Sequence, residues 1–188
     1  MMMNLAAIQI EASGCTSCGL SATRNQVVFG EGPADSQVLF LGEAPGRQED
    51  ETGRPFCGRS GSLLDEALSA ADIRREDAFI TSIVKCRPPA NRNPKAPEIK
   101  ACARWLELQV AQIRPRFICT LGNFALREVR GDRVGISAVH GEPENRIYMG
   151  LNVILFPLFH PAAALRSTTT RELFEADLKR LAALLKAG

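Results

Sequence analysis

The sequence predicts an α/β fold in which a mostly parallel, four-stranded sheet lies between two layers of helices, a three-layer α/β/α arrangement. Three observations lead to this prediction. Short apolar runs recur along the chain, each is apolar at consecutive positions, as in strands buried on both faces, and amphipathic helical patterns separate them. Because parallel strands need a crossover connection, this alternation favours a parallel sheet.

The predicted strands share a continuous apolar character and are VLFLG at 38–42, FITSIV at 79–84, RFICTLG at 116–122 and VILFPLF at 153–159. In an open parallel sheet, ligands bind beyond the carboxyl ends of the strands. We therefore expect functional residues directly after each strand.

Three helices are predicted around these strands. Residues 60–71 have apolar positions at helical spacing, and a second helix begins at Pro97, a residue that favours the first helical turn. The last helix spans 171–186, and its predicted core-facing residues are Leu173, Phe174, Leu178, Leu181 and Leu185.

Length and composition limit the classes of protein. The chain has 188 residues, of which 45% are hydrophobic, so we expect one domain over residues 1–188. The formal net charge of +2 argues against a protein that is basic throughout, and any nucleic-acid surface must be local. We find no basic leader and no apolar run of bilayer length, which predicts a cytoplasmic protein without a membrane partner.

Six cysteines in a chain without a secretion signal favour metal binding over disulfides. Cys15 and Cys18 form a CxxC pair, Cys86 ends the second predicted strand, and Cys102 lies one turn into the next helix. Four thiolates suit tetrahedral zinc or a 4Fe-4S cluster, and their spacing leaves both open, as well as simple burial of the cysteines. Two cysteines are not predicted ligands: Cys57 and Cys119.

The first strand leads into a glycine-rich loop, GEAPGRQEDETGRPFCGRSG at 42–61. This loop contains Glu43, Glu49 and Phe56, an unusual combination for a simple connector. Because it has neither GxxxxGK[ST] nor GxGxxG, the nucleotide-binding motifs do not explain it.

Polar residues also follow the second and fourth strands. The segment KCRPPANRNPK at 85–95 is basic and has no acidic residue, and the fourth strand ends in FHPAAALR. His160 thus lies at the carboxyl end of a strand, where we expect ligands to bind.

The chain resembles the family 4, thermostable-type, iron-sulfur uracil-DNA glycosylases. The resemblance rests on the four cysteines and on four motifs that follow one another along the chain: GEAPG, GRPF.G, KCRPP.NR and HPAAALR. The resemblance covers nearly the whole chain. It implies the uracil-DNA glycosylase fold and a monofunctional enzyme that hydrolyses the N-glycosidic bond of uracil in single- or double-stranded DNA. Free uracil and an abasic site, which starts base excision repair, would be the products.

The resemblance also implies a 4Fe-4S cluster rather than zinc, with Cys15, Cys18, Cys86 and Cys102 as its ligands. The cluster would be structural and would support the loops that face DNA, because hydrolysis needs no redox step. Residues 1–188 would then form one glycosylase domain with an N-terminal cluster-binding segment.

Breaking the glycosidic bond develops positive charge on the sugar and negative charge on the departing uracil. By resemblance, Glu43 positions or activates water and stabilises the sugar, while His160 donates a hydrogen bond to O2 of uracil. Backbone groups at Gly42 and Ala44 would contribute uracil contacts. For Glu49 three interpretations stay open: it holds water, excludes the thymine methyl group, or is a solvated loop charge.

The resemblance further implies contacts with extruded DNA. Phe56 would stack on the flipped base, Leu165 would fill the gap in the duplex and Arg166 would contact phosphate, although Leu165 and Arg166 also suit ordinary helix-start packing. Three basic residues are expected to contact the DNA backbone: Lys85, Arg87 and Arg92. We expect a nucleoid-associated monomer in a prokaryotic cell. A sliding clamp is a candidate partner, although no tail motif points to it.

Two other functions would share some of these motifs. One is a related protein that binds uracil-containing DNA tightly or covalently; His140 could trap the sugar, but the sequence has no RRIH-like insertion. The other is a zinc-stabilised nucleic-acid-binding module, which would not need Glu43 or His160.

One departure from the family generates a prediction. Where many relatives carry Asn in TNIVKC, this chain has TSIVKC, which places Ser82 at the position that reads the uracil edge. A hydroxyl makes fewer fixed contacts than an amide, so we expect slower or less selective uracil excision than in an Asn-bearing relative. Ser82→Asn should change the rate or the base preference, measured on DNA with uracil or other deaminated bases. Unchanged values of both would contradict this interpretation.

Overall fold

The protein is described by a computed structural model that covers residues 4–187. Its helices are α1 (Leu5–Ser13), α2 (Arg47–Thr52), α3 (Arg59–Ala70), α4 (Ala96–Ile113), α5 (Gly122–Arg130), α6 (Ile136–Val139), α7 (Pro161–Ala164) and α8 (Thr168–Lys186). Its strands are β1 (Val38–Gly42), β2 (Ala78–Ser82), β3 (Phe117–Leu121), β4 (Glu144–Tyr148) and β5 (Leu151–Leu158). In the described region, no helix has the length and apolarity needed to span a bilayer.

The strands form one sheet in the order β2-β1-β3-β5-β4. The pairs β1–β2, β1–β3 and β3–β5 are parallel, which confirms the predicted α/β fold with a mostly parallel sheet. Alternate residues of β1 point into different cores. Leu39 and Leu41 pack with α1, α4 and α5, whereas Val38 and Phe40 pack with α3 and α8. The sheet is therefore the middle layer of three.

The predicted number of strands was wrong, because the sheet has five strands and not four. The additional strand, β4, pairs antiparallel with β5 at the sheet edge. Its sequence, ENRIY, alternates between more and less exposed side chains, and Ile147 is 77% exposed. A half-exposed edge strand lacks the continuous apolar run that marks the other strands, so the same criterion did not find it.

Several predicted boundaries also shift. Strand β2 ends at Ser82, so Cys86 lies in the following loop, and Cys102 lies in the second turn of α4. The last helix begins at Thr168, and Leu173 is 37% exposed rather than part of the core. The ends of buried strands and helices depend on packing as well as on local pattern.

Parallel pairing brings the carboxyl ends of β1, β2, β3 and β5 to the same edge of the sheet. Helix α5 begins directly after β3 at Gly122, which has a φ of +87°. A Cβ at Gly122 would lie 2.9 Å from Cβ of His160, so glycine permits the ends of β3 and β5 to approach closely. The fold thus places His160 beside the loops that follow β1 and β2.

Candidate active site

A pocket of about 540 Å³ opens at the carboxyl ends of the strands. We call it the strand-end pocket. It brings together candidate residues from three separate segments: Glu43, Ala44, Glu49, Phe56, Ser82, Arg92, His160 and Arg166. Residues more than 100 positions apart in the sequence therefore line one cavity.

Phe56 forms a nearly buried wall of the strand-end pocket, with 9% of its surface exposed. Its φ of +48° lies in the left-handed region, which is unusual for an aromatic residue. A Cβ on Gly42 would lie 2.7 Å from the Phe56 ring, and a Cβ on Gly61 would lie 1.7 Å from its carbonyl oxygen. The absence of side chains at Gly42 and Gly61 therefore allows Phe56 to take this position, with its ring 5.9 Å from that of His160.

Glu49 holds the Phe56 loop through its carboxylate. Its Oε1 accepts hydrogen bonds from the main-chain N–H groups of Cys57 at 3.2 Å and Gly58 at 3.1 Å. Gly58 is the N-cap of α3, so Glu49 satisfies the main-chain N–H groups of the N-cap residue and of the residue before it from α2. This bracing role was not among the three interpretations that the sequence left open.

Glu43 follows β1 directly and lines the strand-end pocket with a half-buried carboxyl group. Burial raises the pKa of this carboxyl above its usual value, because a partly dry surrounding disfavours the charged form. Its main-chain carbonyl accepts a hydrogen bond from Val84 N at 3.3 Å, which ties the β1 loop to the β2 loop.

His160 is the N-cap of α7, and its Nδ1 accepts a hydrogen bond from Ala162 N at 3.0 Å. Burial lowers the pKa of this imidazole to about 4; the positive charge of Arg166 acts in the same direction, and Glu49 opposes it. His160 is therefore neutral at pH 7. Since Nδ1 is an acceptor, the hydrogen-bond pattern assigns the proton to Nε2.

The expectation that Lys85 contacts the DNA backbone was wrong. Its side chain is 1% exposed, because the loop after β2 directs it into the interior. The ammonium donates to Thr81 Oγ1 at 2.7 Å, Ser82 O at 2.6 Å and Gln109 Oε1 at 2.7 Å. These internal acceptors occupy all three N–H groups, and none remains for a phosphate.

The other basic candidates lie nearer the surface. Arg87 donates from Nε to Asn91 Oδ1 at 2.7 Å, and Arg92 forms a two-pronged ion pair with Glu98 at 2.9 and 2.6 Å. Arg166 lines the strand-end pocket, and the neighbouring Leu165 is 40% exposed. Exposure of a large apolar side chain beside a basic one is compatible with a surface that meets DNA.

A second cavity contains four thiols, those of Cys15, Cys18, Cys86 and Cys102, and we call it the cysteine pocket. Three N–H groups point at its sulfur atoms: Trp105 Nε1 to Cys15 at 3.3 Å, Arg24 to Cys86 at 3.4 Å and Lys85 N to Cys102 at 3.3 Å. Its lining contains no carboxylate and two cationic residues, which suits anionic sulfur. Between residues 4 and 187, however, no three Cys, His, Asp or Glu side chains converge as a site for a single metal ion.

His140 lies outside the lining of the strand-end pocket. Its Nδ1 is 2.8 Å from Asp177 Oδ2, and its ring centroid is 4.6 Å from that of Phe159. Cys57 and Cys119, which the sequence did not select as ligands, likewise lie outside the lining of the cysteine pocket.

Comparison with known proteins shows what this chain is similar to. The model of the uracil DNA glycosylase superfamily matches residues 29–182. The Type-4 uracil-DNA glycosylase of Thermotoga maritima is 43% identical over 92% of this chain and 90% of its own length. The corresponding Pyrobaculum aerophilum protein is 42% identical over 94% and 92%, and that of Archaeoglobus fulgidus is 38% identical over 97% and 94%.

The low pKa of His160 predicts a specific loss of stability in acid. Above its ordinary value of 6.5, the imidazole is neutral in both the folded and the unfolded chain. As the pH falls from 6.5 toward about 4, the unfolded chain binds a proton that the folded chain excludes, so the free energy of unfolding decreases.

His160→Asn keeps an acceptor for Ala162 N but cannot titrate. Between about pH 7 and about pH 5, wild type should therefore lose on the order of 1 to 2 kcal/mol more stability than this variant. Denaturant unfolding at both pH values measures the difference. Equal losses in the two proteins would show that His160 titrates normally.

Proposed function

Because this chain belongs to the uracil-DNA glycosylase superfamily, we propose that the strand-end pocket binds a flipped uracil and hydrolyses its bond to deoxyribose with the residues named below. The chain is a uracil-DNA glycosylase, a hydrolase that acts on N-glycosyl bonds in base excision repair. The neutral state of His160, with its proton on Nε2, is the observation that best supports these residue roles.

His160 is a neutral hydrogen-bond donor that needs no reorganisation during the reaction. Its Nδ1 is occupied by Ala162 N, so Nε2 carries the proton, and that proton stabilises charge on O2 of the departing uracil. A neutral imidazole with a fixed Nε2–H suits this role, because the donor is already oriented and its hydrogen bond strengthens as negative charge accumulates on O2. The nearby Phe56 ring provides the face on which the base stacks.

Glu43 acts on the sugar side of the bond. The N1–C1′ bond breaks with its electron pair on uracil, and the carboxylate stabilises the positive charge that develops at C1′. A water molecule then forms the new bond to C1′ and transfers its proton to Glu43. A half-buried carboxylate with a raised pKa is a stronger base than a solvated one, which suits this proton transfer.

Glu49 serves this reaction by holding the Phe56 loop. Its bonds to Cys57 N and Gly58 N fix the two residues that follow Phe56, whose φ of +48° needs such support. Ser82 and Ala44 line the strand-end pocket, and Gly42 pairs with Ser82 across β1 and β2, so we assign the reading of the base edge to this wall.

Contact with DNA is assigned to surface residues at and near the pocket mouth, of which Leu165 and Arg166 are exposed while Arg87 and Arg92 are half-buried. Leu165 enters the base stack, while Arg166, Arg87 and Arg92 contact phosphates, and this basic set no longer includes Lys85. We propose that the enzyme acts as a monomeric single domain on single- or double-stranded DNA and releases free uracil. Because its substrate is DNA and its relatives come from bacteria and archaea, we propose that it works at the prokaryotic nucleoid.

For the cysteine pocket we propose a 4Fe-4S cluster held by Cys15, Cys18, Cys86 and Cys102. The donor set fits: the pocket has four thiols, N–H groups directed at three of them and cationic neighbours for their charge. When bound, the cluster supplies a structural cross-link between the N-terminal segment, the β2 loop and α4.

Removal of the His160 side chain tests the proposed mechanism. His160→Ala should lower uracil excision by about 100- to 1000-fold, because one preorganised donor to the leaving base is lost. Excision is measured on labelled DNA with one uracil, by alkaline cleavage of abasic sites and a denaturing gel. The other histidine gives the control: His140→Gln keeps a donor for Asp177 and should retain activity. If wild type binds uracil-containing DNA without cleaving it, or forms a stable adduct, the residue roles proposed here fail.

Chemical analysis tests the cluster. Protein purified without oxygen should be brown and contain about four irons and four sulfides per chain, the content of one cluster. Cys86→Ala should lose the colour and most of the iron, whereas Cys57→Ala should keep both. Stoichiometric zinc without iron would contradict the proposal.

A further inference from the structure

Lys85 has a buried amino group between the strand-end pocket and the cysteine pocket, and burial lowers the pKa of this amine to about 7. Its side chain is 1% exposed, and the residue lies three positions after Ser82 and directly before Cys86. The mechanism described above does not use it. Its contacts nevertheless reach both pockets.

On one side, the Lys85 ammonium donates to the main-chain oxygen of Ser82 at 2.6 Å. Ser82 pairs with Gly42 across β1 and β2, and its side chain lines the strand-end pocket. A donor on the Ser82 carbonyl fixes the peptide group that sets the direction of the Ser82 side chain. Thr81 Oγ1 and Gln109 Oε1 complete the coordination of the ammonium from β2 and α4, each at 2.7 Å.

On the other side, the main-chain N–H of Lys85 donates to Cys102 Sγ at 3.3 Å. Lys85 also lines the cysteine pocket beside Cys86. One residue thus holds the end of the β2 strand with its side chain and a sulfur atom of the cysteine pocket with its main chain.

Stability alone gives a poor explanation for a lysine here. Moving an ammonium out of water is expensive, and the acceptors that Lys85 reaches are neutral oxygens. A well-packed apolar side chain of similar length often serves a protein interior at least as well as a buried charge. The arrangement is better explained by a positional requirement.

We propose that Lys85 is a positioning residue for uracil selection, which orients Ser82 from the buried side and ties it to the cysteine pocket. This inference rests on the proposed role of Ser82 in reading the uracil edge. It replaces the expectation that Lys85 contacts DNA. The two ideas make opposite predictions for DNA affinity.

The test is a double-mutant cycle between Lys85→Met and Ser82→Ala. Methionine nearly preserves the length of the lysine side chain but has no N–H group, and Ser82→Ala keeps the carbonyl that Lys85 contacts. In the wild-type background, Lys85→Met should lower kcat/KM for uracil by about 10- to 100-fold, the range for losing a hydrogen bond from a charged donor. In the Ser82→Ala background, the same change should have less than about a 3-fold effect, because the group it positions is already absent.

Two further measurements distinguish positioning from general damage. Affinity for uracil-free DNA and its salt dependence should be unchanged in Lys85→Met, since a buried ammonium contributes no counterion release. Bound iron, followed by visible absorbance in the presence of a chelator, should be lost several-fold faster than from wild type, because without the side-chain hydrogen bonds the main chain that donates to Cys102 Sγ is held less firmly. Thr120→Val, which removes a buried hydroxyl without a hydrogen-bond partner from β3, is the matched control and should match wild type in all three assays.

If Lys85→Met does not fold, Gln109→Leu takes its place in the cycle, because it removes one of the three acceptors of the ammonium. It should give a smaller decrease in kcat/KM, which should also disappear in the Ser82→Ala background. Equal effects of the Lys85 or Gln109 change in both backgrounds, a reduced salt dependence, or iron loss at the wild-type rate would overturn the proposal. Failure of wild type itself to excise uracil would instead contradict the proposed function.

Discussion

The parallel pairing of Gly42 with Ser82, at the carboxyl ends of β1 and β2, is the contact on which both pockets depend. It brings the glycine-rich loop after β1 and the loop after β2 to the same edge of the sheet. Ile83 N then donates to Gly42 O at 3.0 Å, and Val84 N donates to Glu43 O, so the two loops leave the sheet together. The strand-end pocket forms on one side of this junction, and the Lys85 side chain fills the other.

Carboxylate groups on the short helix α2 hold segments that have little regular structure of their own. Glu49 accepts the N–H groups that follow Phe56, and the neighbouring Asp50, 1% exposed, accepts Asn25 N at 2.9 Å and Asn25 Nδ2 at 2.7 Å. Asn25 follows the N-terminal CxxC segment. Charged acceptors form stronger hydrogen bonds than neutral ones, so one helix of six residues holds both the Phe56 loop and the chain at Asn25, which leads out of the cysteine-bearing segment.

The sheet illustrates what local pattern can and cannot predict. The four strands buried on both faces were found because continuous apolar runs are the direct result of that burial. Strand β4 was missed because its pairing with β5, rather than its own composition, makes it a strand. Lys85 was misassigned for a related reason: it belongs to a basic segment, but the turn after β2 directs this one side chain inward.

The sequence by itself determined the fold class, the family resemblance and the chemical types at the strand ends, because these depend on residue identity, spacing and order. The tertiary structure alone decided the states of those groups. His160 is neutral with its proton on Nε2 because of burial and the Ala162 N–H, and Glu49 is a brace because the α3 N-terminus lies within its reach. Burial, protonation and hydrogen-bond partners are set by segments distant in sequence, and no local pattern contains that information.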